Sequence, residues 1–227
     1  MDHHLAGEAG AGNSRNGYGR KSVVTETGKT IYTRADIQKG RQVWQSIGGQ
    51  QLGSIWGHGG YVAPDWSADW LHREAEAVMD VWAKREAGVD SYKKLPADVR
   101  ASYQARVQAL MRPNTYEEGS GTIRLDADRV AAIANVAQHY TSLFGNDPAT
   151  AELREAYAMR NDTVPQAEHR RKLTAFYCWT SWGAVTCRLP WNLLEPRSST
   201  TMEGAAASGA GETADRDAVA MIRLCET

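Results

Sequence analysis

The sequence predicts a mainly α-helical domain with a short strand or hairpin, and three observations carry that prediction. Apolar residues recur at helical spacing in several windows. Helix-start signals stand ahead of those windows. Six of the 21 glycines gather in one short reach that reads as a compact loop. With 227 residues and 42% apolar content, the chain is long enough for one domain with a real core and additional ends.

From Val23 the elements follow in order. Thr27 to Thr33 reads as a short strand or extended segment, and Thr33 followed by Asp36 is a capping pair for a helix from about Arg34 to Ser46. Gly48 to Pro64 holds too many glycines for regular structure and is expected as a compact loop. Leu71, Ala75, Val78 and Trp82 share one helical face, which predicts a helix from about Ser67 to Ala87. Val99, Tyr103, Val107 and Leu110 predict another from about Pro96 to Met111, with Asn114 to Asp126 as a loop or small hairpin. A helix from Ala127 to Phe144 turns Val130, Ile133, Ala134, Ala137 and Leu143 inward and stops at Gly145. Asp147-Pro148 opens a short helix carrying Leu153 and Tyr157, and Pro165 stands near the start of a long one.

The ends read differently. Residues 1–22 are small, polar and aperiodic and are expected to be disordered, without the apolar core of a signal peptide. The apolar run from Leu173 to Val185 is shorter than the ~20 residues needed to cross a bilayer and resembles the start of a membrane helix that is not completed. This divides the chain into a domain at 23–172, a truncated membrane-helix stub at 173–189 and a disordered tail at 190–227. An exposed stub of that kind predicts membrane adherence or aggregation through Leu173 to Val185.

Several function classes lose support from the residues alone. A net charge of -1 gives no basic field for nucleic acid or anionic lipid. Cys178, Cys187 and Cys225 lie far apart and form neither a Cys-x-x-Cys pair nor a disulfide framework. The glycine-rich loop lacks the lysine and the preceding buried strand of a phosphate-binding loop. His58 and His72 lack further ligands at metal spacing, so one packed and one exposed histidine is the better account. Asp65 and Asp69 lie one helical turn apart as an acid/base pair would, yet acidic residues at a helix start more commonly complement the dipole and do nothing else. Met111 and Met159 are expected as core filler.

One stretch is specific. From Gln42 to Glu74 the chain carries Trp44, Trp56, Trp66 and Trp70 together with six glycines. Glycine costs conformational entropy and tryptophan demands a large apolar pocket, so the pattern describes a tightly turned backbone inside an aromatic frame. The run Trp44-Gln-Ser-Ile-Gly-Gly-Gln-Gln-Leu-Gly-Ser-Ile-Trp-Gly-His-Gly-Gly-Tyr-Val-Ala-Pro-Asp-Trp resembles the extracytoplasmic region of quinol-dependent nitric oxide reductases. Asn114-Thr-Tyr, Arg129-Val-Ala-Ala-Ile, Leu153-Arg-Glu-Ala-Tyr-Ala-Met and Leu173-Thr-Ala-Phe resemble the same family in the same order, over about Val23 to Ala184.

The resemblance implies a cytochrome c-like helical domain that carries no haem and lies on the periplasmic side of the cell membrane. In the full-length family, nitric oxide is reduced to nitrous oxide with quinol, in anaerobic respiration or detoxification. Haem b and non-haem iron are held there by a membrane catalytic bundle, the domain's implied partner. Set against cytochrome-dependent relatives, the haem-attachment run falls on Gly49-Gln50-Gln51-Leu52-Gly53. Gly49 and Leu52 then stand where the thioether cysteines would be, and Gly53 where the axial histidine would be. The same comparison gives Gly59 and Tyr61 as backbone-carbonyl ligands of a structural calcium ion, with most of the remaining oxygens coming from the catalytic part. No catalytic residue is expected in this chain, which reads as a truncated or frameshifted, non-catalytic product. The alternatives are a free-standing binding or regulatory module and, in a third class, an independent redox enzyme.

Overall fold

The computed structural model describes residues 22–186, a six-helix domain with a small sheet. Strands β1 (Ser22–Thr25) and β2 (Thr30–Thr33) form an antiparallel hairpin turning at Gly28. Strands β3 (Tyr116–Glu117) and β4 (Thr122–Leu125) form a second one, so the expected loop is a hairpin. The two hairpins join through a parallel β1–β4 pair, giving the order β2-β1-β4-β3. That long-range pairing has no local signal in the sequence. It buries Val23, Ile123 and Leu125 against the helices.

The helices fall where the periodicity places them. Helix α1 (Arg34–Ser46) starts with a full capping box, in which Thr33 Oγ1 accepts from Asp36 N and Asp36 accepts from Thr33 N. Helix α2 (Trp66–Ala87) is capped by Asp65 and ends on left-handed Gly88. Helices α3 (Ala97–Met111), α4 (Ala127–Leu143) and α5 (Ala151–Ala156) follow, and α6 (Ala167–Thr186) closes the domain. One inward face differs from expectation. In α4, Ala134 is exposed, and the buried positions are Arg129, Ala132, Ile133, Val136, Tyr140 and Leu143, because α4 is clasped by α2 on one side and α6 on the other.

Helix α6 runs without interruption through residues 172 and 173, and every residue from Leu173 to Gly183 is buried, where the sequence predicts an exposed apolar stub. Its neighbours α1, α2 and α4 supply the apolar contacts that an exposed stub would lack. Three of its hydroxyls are satisfied within the helix. Thr180, Ser181 and Thr186 hydroxyls donate to the carbonyls of Tyr177, Cys178 and Trp182. No helix among the described residues is long and apolar enough to cross a membrane. The expected disordered ends and the rest of the 173–189 and 190–227 segments lie outside the described residues.

Helices α1 and α6 approach closely because Gly40 has no side chain. A β-carbon there would lie 2.0 Å from Lys172 O and 2.8 Å from Phe176 Cβ. Above that contact Asp36 binds Lys172 Nζ, and Arg171 Nη2 stands 3.4 Å from the same carboxylate. Burial pushes the Asp36 carboxyl up, but Lys172 and the Thr33 bonds outweigh it and hold the group at about 2.

Candidate functional site

The tryptophan-glycine segment becomes an ordered loop between α1 and α2, braced from three sides. Its first turn is a short 3-10 stretch at Gly49–Gln51. Trp44, on the last turn of α1, donates Nε1–H to Gly53 O at 3.0 Å. Trp56 donates to Thr180 O on α6 at 2.8 Å and packs against Trp179, with ring centroids 5.9 Å apart. Trp56 sits at φ 53, a left-handed conformation that a bulky side chain holds only when its surroundings enforce it.

Asp65 ties the loop to α2. One carboxylate oxygen accepts from Ser67 N and Ala68 N at 3.0 Å and from the Ser67 hydroxyl; the other accepts from Ser54 Oγ at 2.6 Å and Gly57 N at 2.7 Å. Ser54 Oγ in turn accepts from Gly59 N at 2.7 Å. Asp65 therefore does more than complement a helix dipole. Asp69 also has work beyond the dipole, accepting from Tyr140 Oη at 2.5 Å and Arg73 Nε at 2.8 Å. Neither forms an acid/base pair with the other, since each carboxylate is committed to its own donors.

Beneath the loop lies a dense aromatic cluster. Trp66 is fully buried, stacked on Tyr177 at 5.7 Å, with Phe144, Tyr157 and Tyr140 edges around it at 5.3, 5.9 and 6.1 Å. Its indole presses on the loop backbone at Gly53. A β-carbon at that residue would fall 2.2 Å from Trp66 Nε1 and 2.8 Å from Pro64 O. Gly49 is buried beside the Trp44 ring, and Leu52 is half-buried.

The tip points away from this frame. Tyr61 is 99% exposed and Val62 46%. Gly60 N donates to Ala63 O at 2.8 Å, closing the tip, while the carbonyls of Gly59 and Tyr61 accept no hydrogen bond among the described residues. His58 is exposed; His72 is also exposed and stands 3.7 Å from Glu76. The described residues contain no group of three His, Cys, Asp or Glu side chains placed to hold a metal ion. Met111 and Met159 are buried, as core filler would be, and Cys178 is a buried free thiol whose pKa burial pushes well up, so it has no thiolate character.

Two features carried no sequence signal of their own. Glu74 on α2 and Arg129 on α4 form a buried pair, and His139 is a half-buried imidazole whose Nε2 lacks a partner among the described residues. Both depend on which helices face each other, and residue spacing within one helix does not encode that.

Residues 20–193 match the family model for the NorB cytochrome c-like domain of nitric oxide reductase. The chain belongs to that family. A search of curated proteins gave no match. The name implies a haem, and the attachment run of a cytochrome c tests whether this cytochrome c-like domain fits one. The run that the sequence resemblance sets against a haem-attachment motif, Gly49–Gly53, has no side chain that could hold a haem covalently. Neither Gly49 nor Leu52 has a thiol, Gly53 has no imidazole, and Trp66 occupies the space any side chain at Gly53 would enter.

Proposed function

We propose that the chain is the haemless cytochrome c-like domain of a quinol-dependent nitric oxide reductase. In this reading it acts as a structural cover on that enzyme's membrane catalytic bundle, on the periplasmic side of the cell membrane. The observation that supports the reading is the contact of Trp66 with Gly53: at the position that the resemblance sets against an axial ligand, packed indole leaves no room for a side chain, and the loop is braced as scaffold. The chemistry, reduction of nitric oxide to nitrous oxide with electrons from quinol, belongs to the haem b and non-haem iron of the bundle, and this domain supplies no catalytic group. Its contribution is shape, through a rigid loop whose exposed Tyr61 and Val62 meet the bundle.

The two free carbonyls, Gly59 and Tyr61, suit a shared calcium ion. Calcium takes six to eight oxygens, so two from this loop require the others from the bundle and water, and the ion would bind at the joint. Reconstitution tests the whole reading. The purified domain is added to a quinol-dependent nitric oxide reductase bundle from which the corresponding domain has been deleted, with calcium or with chelator. The expected result is a calcium-dependent complex with restored quinol-driven nitric oxide consumption and no Soret band from the domain alone. A stoichiometric haem on the domain, or no binding with and without calcium, overturns it.

A further inference from the structure

A cleft of about 560 Å³ opens between the end of α1 and the connection from α5 to α6. Its size lies within the range of small-molecule sites. Ser46, Ile47, Gly48 and Leu52 form one wall, and Ala158 to Thr163 with Pro165 form the other. Ile47, Leu52, Met159 and Pro165 supply the apolar part of the lining, about half of it, and polar groups supply the rest.

The second wall is built rather than loose. Ala158 and Asp162 both hold left-handed backbone, φ 52 and 51, which non-glycine residues adopt at a cost and keep only where neighbours enforce it. The enforcing bonds are Met159 N to Arg154 O at 2.8 Å, Asp162 N to Gly145 O at 2.9 Å, and Arg154 Nε to Asn161 Oδ1 at 3.1 Å. Between the two left-handed residues Met159 is buried, and the Arg160 side chain is exposed at the rim.

Charge decides the class of ligand. Asp162 already has Asn146 Nδ2 at 3.1 Å and Arg170 Nη1 at 4.0 Å. The Arg160 guanidinium has no hydrogen-bond or ion-pair partner among the described residues. Arg160 is therefore the charged side chain of this cleft that has no partner among the described residues, with the apolar surface of Leu52 and Met159 beside it. We infer that the cleft between Leu52 and Met159 binds a small amphiphilic anion, its apolar body between those two side chains and its carboxylate or sulfonate on Arg160.

The full chain is titrated with 1-anilinonaphthalene-8-sulfonate and, in parallel, with neutral N-phenyl-1-naphthylamine, which shares the ring system. One saturable sulfonate site is expected, with the Met159 methyl resonance shifting as it fills. Arg160→Gln is expected to weaken the sulfonate about tenfold, the loss of one charge-assisted contact, and to leave the neutral probe unchanged. Leu52→Trp, which fills the cleft, is expected to abolish both. Arg160 is exposed, so its variant keeps the fold and the test holds even where Leu52→Trp does not fold. Unchanged sulfonate affinity in Arg160→Gln, an unmoved Met159 methyl, or full binding by a folded Leu52→Trp overturns the inference.

Discussion

Arg129 Nε lies 2.8 Å from Glu74 Oε1, and the two side chains are 3% and 0% exposed, so α4 and α2 are joined by an ion pair sealed from water. The second carboxylate oxygen accepts from Trp70 Nε1 at 3.1 Å. Burying both charges is costly and their attraction largely offsets it, whereas removing one partner leaves the other stranded. Arg129→Met is expected to lower unfolding free energy by about 3–5 kcal/mol, and Glu74→Leu/Arg129→Met together by clearly less. Urea denaturation of the two variants checks this. Equal losses would mean that the pair is not the source of the cost.

The Gly53–Trp66 contact makes a sharper prediction. A β-carbon 2.2 Å from an indole nitrogen forces the loop or the ring to move, and Trp66 is hemmed in by Tyr177, Phe144, Tyr157 and Tyr140. Overpacking of this kind costs about 1–3 kcal/mol. Gly53→Ala is expected to fall in or above that range, while Gly119→Ala, where a β-carbon meets nothing within 4 Å, is expected to be nearly neutral. Introducing a Cys-x-x-Cys-His run through Gly49→Cys, Leu52→Cys and Gly53→His is expected to unfold the loop instead of creating a haem site. Thermal melts and covalent-haem staining read the two outcomes.

Much of this architecture is legible in the chain because helices announce themselves locally. Thr33 and Asp36 specify the start of α1, and Leu71, Val78 and Trp82 the buried face of α2. The β1–β4 pairing and the Glu74–Arg129 pair were not legible, since each joins residues far apart in sequence. Helix α6 misleads for a different reason. An all-round apolar run describes a helix surrounded by protein as well as one surrounded by lipid, and only the presence of α1, α2 and α4 decides between them. In the loop, composition announces tight turns and aromatic bracing. The role of Asp65 as its anchor stays hidden because its partners Ser54 and Gly57 come from the preceding loop.

That anchor can be tested directly. Asp65→Ala removes the α2 cap, worth about 1 kcal/mol, and leaves the donors Ser54 Oγ and Gly57 N without their acceptor. The expected result is a loop that opens locally while the helical core persists. Amide exchange should accelerate at Gly57, Gly59, Ser67 and Ala68 and stay slow in α4 and α6. Uniform acceleration would make Asp65 a global and not a local support.

His139 should respond to acid. Burial, reinforced by the Arg73 guanidinium and partly offset by Asp69, lowers its pKa to about 4. The unfolded chain then binds a proton that the folded chain refuses, so stability present above pH ~6.5 is lost as pH falls toward about 4. Proton NMR of the His139 ring is expected to show a midpoint near the lower value. His139→Gln is expected to flatten the stability profile across that window.

Asp36 acts in a lower window, with the same sign. Its carboxyl, held at about 2 against an ordinary 3.8, takes up its proton in the unfolded chain first. The stabilisation from Lys172 is therefore complete above pH ~4 and is lost as pH falls to about 2. Allowing for solvent screening, the contribution is about 1–2 kcal/mol. Asp36 also closes the α1 capping box, so Asp36→Asn would remove two effects at once. Lys172→Met is the cleaner variant, since it keeps the α1 capping box and removes only the ammonium, with its bonds to Asp36 and to the exposed Glu168. It is expected to raise the Asp36 midpoint toward 3.8 and to shrink the loss of stability between pH 4 and 2, leaving the His139 window unchanged. An unaltered acid limb in Lys172→Met would show that the capping bonds from Thr33, and not the lysine, hold the carboxylate in its charged form.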